Sequence, residues 1–297
     1  MIWSANNFLS RIKIIPLLLL TLPGCTDLSL FVVNRLAALS DYSAYEDIPY
    51  GPDKLQHLSV YRPENLPAND AGRPATIIFF YGGCWGGCRT LDKGAYLFVA
   101  EAITSRGYNA VLADYRRHPA VKFPEIIDDA RRAVEWVHRN IRQYGGDPGK
   151  IFIMGHSAGA HLGAMLTLDE TYLDRDTYQA IQGFIGLSGP YDFLPHTEPY
   201  QYAVFGPETR YADSQPINFV DGTEPPLLLL YGDDDTQVKP RNIINLTEKI
   251  RAHGGAVETH IYDGIGHVEI LAALSIPLQS STPVVDDIFD FVKQQLR

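Results

Sequence analysis

The chain has 297 residues, of which 45% are hydrophobic and 20% charged, so it is long and apolar enough for one large globular core. Its net charge of −10 and its pI of about 5.3 argue against a nucleic-acid partner, because an acidic surface repels a phosphate backbone. The sequence contains no internal repeat, low-complexity tract or heptad run.

The first 25 residues have the pattern of a secretory signal peptide. Arg11 and Lys13 precede an apolar stretch, residues 14–22, that is too short to span a bilayer. The stretch leads into Leu-Pro-Gly-Cys, which resembles a bacterial lipobox whose cysteine, Cys25, receives the lipid, although Pro23 is unusual at its position. An ordinary cleaved signal or an uncleaved anchor is the alternative. We expect an exported protein of the cell envelope, lipid-anchored on the periplasmic side or at the outer membrane.

Residues 26–47 are predicted to form an N-terminal helix, over 28–39, and a linker. From residue 48 to residue 297, short apolar runs alternate with helical patterns. The predicted strands are 76–81, 110–113, 151–154, 184–187, 227–231 and 257–262, and the main predicted helices are 91–106, 124–144, 241–253 and 282–296. Strands that are apolar on both faces indicate a parallel sheet covered by helices. The alternation therefore predicts a single α/β domain with a doubly wound sheet. Residues 190–225 interrupt it and are expected to form at most a small cap.

Residues 155–159 read Gly-His-Ser-Ala-Gly, the G-x-S-x-G pattern. The pattern follows a predicted strand and precedes the helical segment AHLGAMLTL, which is the context of a nucleophile elbow. In such a turn the hydroxyl of Ser157 projects outward, and the N-terminus of the helix stabilises negative charge beside it. Ser157 is therefore the candidate nucleophile. The alternative is a glycine-rich turn that carries no chemistry.

A serine hydroxyl is a weak nucleophile until a base accepts its proton, and in this arrangement an acid and a histidine follow the serine along the chain. His267 lies in the loop GIGH after the strand 257–262, at the carboxyl edge of the sheet. Asp233, Asp234 and Asp235 follow the strand before it, and one of them can orient the imidazole. A metal site built from the three carboxylates is the alternative, but no other ligands cluster with them. No metal and no cofactor is expected.

Four glycines lie within residues 82–87, directly after the strand 76–81. They allow backbone amides to turn inward, so we predict that this loop and the residue after Ser157 form an oxyanion hole. The same loop contains Cys84 and Cys88, which remain as a pair in an oxidising compartment if Cys25 carries lipid. We expect a disulfide between them. Their spacing also suits a metal, but no nearby residues complete four zinc ligands.

The motifs that carry a family likeness are YGGCW, DYR, FPEIIDDARRAVEWV, GGDP, GHSAGAHL, YGDDDTQV and GIGH, in this order. With them the chain resembles the esterase and kynurenine-formamidase-like branch of the α/β-hydrolase superfamily, over roughly residues 48–295. The resemblance implies the α/β-hydrolase fold, a mostly parallel doubly wound sheet with helices on both faces.

The resemblance also implies roles for individual residues. In the family pattern G-x-x-D-x-x-V the acid falls on Asp235, and the oxyanion amides fall on Gly83, Cys84 and Ala158. One position departs from the family, because Tyr81 stands where a histidine usually orients the oxyanion loop.

Three functions compete on this evidence. The leading one is a carboxylesterase of small esters, in which Ser157 attacks the acyl carbon, His267 transfers the proton and Asp235 orients His267. The second is an arylformamidase or amidase with the same triad, against which export argues, because that chemistry serves cytoplasmic tryptophan breakdown in the family. The third is a non-catalytic binding protein, against which the intact triad argues. The expected partners are a small-molecule ester or amide and, through the lipid, a membrane; substrate specificity and oligomeric state stay open.

Overall fold

One mixed sheet forms the centre of the fold. The computed structural model describes residues 23–64, 72–88 and 91–297, with side chains from residue 28 onward. The strands are β1 (Tyr42–Pro49), β2 (His57–Pro63), β3 (Thr76–Phe80), β4 (Asn109–Ala113), β5 (Ile151–His156), β6 (Ile181–Leu187), β7 (Leu227–Gly232) and β8 (Val257–Tyr262). They lie in the order β1-β2-β4-β3-β5-β6-β7-β8, antiparallel at β1–β2 and β2–β4 and parallel elsewhere.

The helices cover both faces of this sheet. They are α1 (Pro23–Ala37), α2 (Leu97–Thr104), α3 (Phe123–Asn140), α4 (Ala158–Leu168), α5 (Arg175–Gln179), α6 (Pro199–Phe205), α7 (Arg241–Ala252), α8 (Glu269–Ala272) and α9 (Val284–Gln295). Every residue of β3, β4, β5 and β7 is buried, as expected for parallel strands covered on both sides. The predicted α/β-hydrolase fold is confirmed.

The amphipathic pattern of α3 explains which face of this helix is buried. Ile127, Ala130, Val134 and Val137 are buried along one face, and a short 3-10 turn, Ile141–Tyr144, prolongs the helix. The turn ends where Gly145 adopts a φ of 85°, a left-handed conformation that favours glycine. The helix and its stop signal therefore follow from the sequence pattern.

The N-terminal region differs from the prediction. The stretch predicted as a linker, which ends at residue 47, contains most of β1, which pairs with the neighbouring strand from Tyr42 opposite Pro63 to Pro49 opposite His57. Most β1 residues are exposed, so an edge strand of this kind lacks the hydrophobic alternation that would identify it. The helix predicted over 28–39 is α1 and ends at Ala37.

The predicted signal peptide lies mostly outside the described residues, since residues 1–22 are not described and the side chain of Cys25 is not described either. Among the described residues, none of the helices is both long enough and apolar enough to cross a membrane.

Residues 190–225, called the cap below, contain α6 and two 3-10 segments, Glu208–Ser214 and Pro216–Phe219. Aromatic rings hold the cap to the domain: Phe193 and Phe205 contact Trp85 at centroid distances of 5.7 and 4.8 Å. The cap is therefore small and irregular, packed around side chains instead of being organised by a strand or a long helix.

Candidate active site

Ser157 occupies a strained turn between β5 and α4. Its φ of 56° and ψ of −123° place a non-glycine residue in a sparsely populated region, which costs about 1–3 kcal/mol and requires support from the surroundings. The two pattern glycines permit the turn. A Cβ on Gly155 would lie 2.4 Å from the carbonyl carbon of Gly159, and one on Gly159 would lie 2.0 Å from the carbonyl oxygen of Phe80. The G-x-S-x-G spacing thus reflects close backbone contacts on both sides of the serine.

Asp235 lies in the loop after β7, and its side chain is fully buried. Its Oδ2 accepts a hydrogen bond from Nδ1 of His267 at 2.7 Å. Its Oδ1 accepts the backbone N–H groups of Gln237 and Val238 at 2.8 and 2.9 Å. Burial acts to raise the pKa of Asp235, but His267 and these two amides outweigh it and hold the pKa below its usual value. The carboxylate therefore stays ionised beside the imidazole.

The two neighbouring aspartates have different surroundings. Asp233 and Asp234 are exposed, whereas Asp235 is buried. Oδ1 of Asp233 accepts the N–H of Gly264 at 2.7 Å, and the N–H of Asp234 donates to the carbonyl of Ile265 at 3.1 Å. These bonds join the loop after β7 to the loop that carries His267. Two of the three aspartates thus brace the loops, and only the third contacts the imidazole.

His267 follows β8 and is buried. Because its Nδ1 donates to Asp235, its Nε2 carries the lone pair that a general base needs. Its backbone carbonyl accepts a hydrogen bond from Nε2 of His156 at 2.8 Å, and the two rings lie 4.7 Å apart. Burial, reinforced by the nearby His267, lowers the pKa of His156 to about 3, so His156 is a neutral donor. No local sequence signal predicts this contact of His156, because the two residues lie 111 positions apart along the chain.

The loop after β3 approaches the serine closely. A Cβ on Gly82 would lie 2.8 Å from the Cβ of Ser157. Gly83, Cys84, Trp85 and Gly86 follow with φ values of 118°, 52°, 54° and 102°, so four consecutive residues adopt positive φ. Cys84 and Ala158 line the same cavity as Ser157, and Gly83 directly precedes a 3-10 turn, Cys84–Gly86. A disulfide joins Cys84 to Cys88 with an S–S distance of 2.00 Å.

Trp85 and His161 connect this loop to the cap. Nε1 of Trp85 donates to Nδ1 of His161 at 3.1 Å, and Nε2 of His161 donates to the carbonyl of Ser214 at 2.8 Å. Burial lowers the pKa of His161 to about 4, which matches the neutral tautomer that these two bonds require. No sequence pattern predicted this contact between Trp85 and His161. The only local signals were the segment GCWGG, which contains Trp85, and the position of His161 four residues after Ser157.

Tyr81 replaces the histidine of the family pattern and is held by its own network. Its hydroxyl donates to Oδ1 of Asp114 at 2.7 Å, and the same oxygen accepts the N–H of Lys93 at 2.8 Å. The hydroxyl of Tyr115 donates to the carbonyl of Tyr81 at 2.7 Å. Burial raises the pKa of Tyr81, so its hydroxyl remains a donor. A tyrosine–aspartate pair therefore orients the start of the loop after β3 in this chain.

The cavity beside Ser157 has a volume of about 110 Å³. Its lining includes Cys84, Trp85 and Ala158 from the loops after β3 and β5, and Phe193 and Tyr200 from the cap. Lys239 and Arg241 complete the lining with several other residues, and no aspartate or glutamate of the described residues lines it. Nor does the described part of the chain contain a group of three or more His, Cys, Asp or Glu side chains able to hold a metal ion.

Comparison with known proteins agrees with this geometry. The family described as BD-FAE matches residues 62–250. The isoprenylcysteine alpha-carbonyl methylesterase ICME of Arabidopsis thaliana is 26% identical over 268 residues, covering 82% of this chain and 60% of its own length. Esterase LipQ of Mycobacterium tuberculosis is 30% identical over 237 residues, covering 72% of this chain and 54% of its own.

A solved structure with the same fold is Thermogutta terrifontis esterase 2 phosphoramylated by tabun. It has a TM-score of 0.69 and 21% identity, and the match covers 86% of this chain and 95% of that one. The chain spans only 54–60% of the length of the two curated relatives.

Proposed function

The chain belongs to the BD-FAE family, and from this premise we propose that it is a serine carboxylesterase that cleaves small carboxylic esters. The observation that carries the proposal is the 2.7 Å hydrogen bond between buried Asp235 and His267. These residues follow the neighbouring parallel strands β7 and β8, and Ser157 follows β5 of the same parallel set. All three therefore lie at one edge of the sheet, where ligand sites of such folds form. The relatives named above as esterases support the same reaction class.

The proposed mechanism assigns one role to each group. Nε2 of His267 takes the proton of Ser157 as its Oγ attacks the ester carbonyl carbon, and Asp235 stabilises the imidazolium that forms. The amides of Cys84 and Ala158, with Gly83 beside them, hold the negative oxygen of the tetrahedral intermediate. His267 then returns the proton to the departing alcohol, which leaves an acyl-serine. Water repeats the sequence and releases the acid.

The dimensions of the cavity support small substrates. Its volume of about 110 Å³ is below the roughly 300–1,000 Å³ typical of pockets that enclose a ligand. A short acyl group fits this space, and a larger alcohol part would lie outside over the rim. We therefore expect acetyl and other short acyl esters to be hydrolysed faster than long-chain esters.

A fluorophosphonate probe tests the proposed nucleophile directly, because it phosphonylates activated serines. The related fold phosphoramylated by tabun is an example of this reaction class. We expect one adduct on Ser157, located by peptide mass spectrometry, and no adduct on Ser157→Ala. Ser188→Ala is the matched control. Ser188 also has a positive φ, 47°, and follows the adjacent strand β6, and its side chain is buried. Absence of labelling in the unaltered protein, or labelling that survives Ser157→Ala, would contradict the proposal.

We also propose that the chain is exported and carries lipid on Cys25. Two observations support this. The outward face of α1 is apolar, with Leu28, Phe31 and Val32 exposed by 63%, 56% and 45%. The disulfide between Cys84 and Cys88 requires an oxidising compartment. In a Gram-negative host the full chain should incorporate radioactive palmitate and sediment with membranes, whereas Cys25→Ala should do neither. Equal membrane association of the two proteins would refute the lipid anchor.

A further inference from the structure

Two cationic side chains line the cavity beside Ser157. Lys239 and Arg241 flank Pro240, where the loop that carries Asp235 enters α7. Lys239 is exposed and Arg241 is half-buried. Both cationic residues therefore line the cavity that Ser157 also lines, in a protein whose net charge is −10.

Neither cation has an ion-pair partner among the described residues. In addition, Nε of Arg241 is buried and donates no hydrogen bond to any described atom. Two other cations of the molecule are paired with buried carboxylates: Lys93 contacts Asp114 at 3.3 Å, and Arg116 contacts Asp129 at 2.7 Å. A buried donor without a partner costs free energy, so its presence in a cavity indicates that a ligand supplies the acceptor.

We propose that the esters cleaved at this site carry a carboxylate, which Arg241 and Lys239 bind while the ester carbonyl lies at Ser157. The proposal rests on the esterase function above and names its substrate class. A guanidinium binds a carboxylate through two parallel N–H···O bonds, and a lysine adds a point charge, so the two suit one anionic group. The absence of aspartate and glutamate from the described lining leaves this charge uncompensated until an anion enters.

The carboxylate belongs either to the acid part or to the alcohol part of the ester, and two pairs of substrates separate these sources. In the first pair, monomethyl glutarate carries a carboxylate on the acid part and dimethyl glutarate carries none. In the second pair, sodium 4-acetoxybenzoate carries a carboxylate on the alcohol part of its acetate ester, and methyl 4-acetoxybenzoate carries none. Each kcat/KM is divided by the rate constant for alkaline hydrolysis of the same ester, which removes differences in intrinsic reactivity.

We expect the anionic member of at least one pair to be preferred by about tenfold or more, as charge-assisted hydrogen bonds allow. Because steering by charge is screened by salt, this preference should shrink as ionic strength rises. In the double variant Lys239→Gln, Arg241→Gln the ratio of anionic to neutral kcat/KM should fall about tenfold. Arg241→Lys keeps the charge but loses the two-pronged geometry, so its ratio should fall by less.

Arg251→Gln is the matched control. Arg251 lies in the last turn of the same helix, is exposed and does not line this cavity. Its replacement removes one positive charge away from the site, as each substitution of the double variant does at the site. Its ratio should equal that of the unaltered protein. Circular dichroism and melting temperature establish that each variant is folded.

The outcomes separate the two proposals. Hydrolysis of the neutral esters with no preference for either anionic partner would overturn the inference and leave the esterase function standing. A preference that survives the double variant, or that Arg251→Gln reduces equally, would also overturn it. Failure to hydrolyse any of the four esters, together with failure of fluorophosphonate labelling, would overturn the esterase function and the inference with it.

Discussion

The two sides of the cavity are built in different ways. The catalytic floor consists of the loops after β5, β7 and β8, which carry Ser157, Asp235 and His267. There, backbone contacts leave no room for a Cβ at the elbow glycines, and both carboxylate oxygens of Asp235 accept hydrogen bonds. The cap opposite is formed by short helices and aromatic contacts, and neither ring nitrogen of His196 has a partner among the described atoms.

This contrast separates chemistry from specificity. A reaction that requires its groups within a fraction of an ångström needs positions determined by backbone contacts and by side chains without rotational freedom. Selecting a substrate needs only side chains of the right size and charge, which can differ among proteins of one fold. We therefore expect substitutions of Ser157, Asp235 and His267 to abolish turnover, and substitutions of other side chains around the cavity to change which substrate is preferred.

The largest effect is expected at the nucleophile and the base. Ser157→Ala and His267→Ala should each reduce kcat by about 10⁴–10⁶, because either change removes activation of the nucleophile. The double variant should be scarcely slower than either single variant, since the two residues act as one unit. Steady-state kinetics with an activated ester checks this. Additive losses in the double variant would show that the two residues act independently.

The three aspartates provide a test within one loop. Asp235→Asn should reduce kcat by about 10⁴, because an amide in place of the carboxylate favours the wrong tautomer of His267. Asp234→Asn and Asp233→Asn should cost no more than about tenfold, because these exposed residues brace loops without contacting the imidazole. If Asp234→Asn were the severe variant instead, the acid would be misassigned by one residue.

The glycines of the elbow should be the most sensitive positions for stability. Gly159→Ala should lower the free energy of unfolding by more than about 3 kcal/mol, because the new Cβ would meet backbone that cannot move aside. Gly107→Ala is the comparison. Its φ is 87° and nothing lies within 4 Å of a Cβ there, so only backbone strain of about 1–2 kcal/mol opposes it. Denaturant titration of both variants measures the difference, and equal losses would contradict the steric account.

His161, which bonds to the cap through the carbonyl of Ser214, should make the free energy of unfolding depend on pH. The pKa of His161 is lowered to about 4, so the folded protein leaves this ring neutral where the unfolded chain, with a pKa near 6.5, binds a proton. Its contribution is complete above about pH 6.5 and is lost as pH falls towards 4, at up to about 1.4 kcal/mol per pH unit. His161→Asn should reduce this slope by up to that amount. His253→Asn, at an exposed position, should leave the slope unchanged.

A cap residue should have the smallest effect. Tyr200 is half-buried and lines the cavity. Tyr200→Ala should change KM by no more than about tenfold and leave kcat nearly unaltered, because it removes binding contacts that the substrate makes equally in the ground and transition states. Acetate and butyrate esters measured side by side would show whether the preferred acyl length shifts. A fall in kcat comparable with that of Asp235→Asn would contradict the expectation that cap residues affect substrate binding and not turnover.

Much of the fold could be predicted from the sequence because its signals are local. Apolar runs identified the six strands from β3 to β8, and the spacing of Ile127, Ala130, Val134 and Val137 identified the central helix. The elbow is local as well, since its two glycines and its serine lie within five residues. Edge strand β1 was missed because most of its residues are exposed, and exposed strands lose the hydrophobic pattern.

What the sequence by itself determined is the order of strands and helices and the three loops that supply a serine, an acid and a histidine. Only the tertiary structure decided which side chains meet. It buried Asp235 against His267 and left Asp233 and Asp234 exposed, and it brought His156 to the carbonyl of a residue 111 positions away. It also placed Lys239 and Arg241 beside Ser157 without a carboxylate partner in the described chain. The physical reason is that helix and strand preferences depend on near neighbours in sequence, whereas burial, hydrogen-bond partners and charge surroundings depend on residues that only the packed sheet brings together.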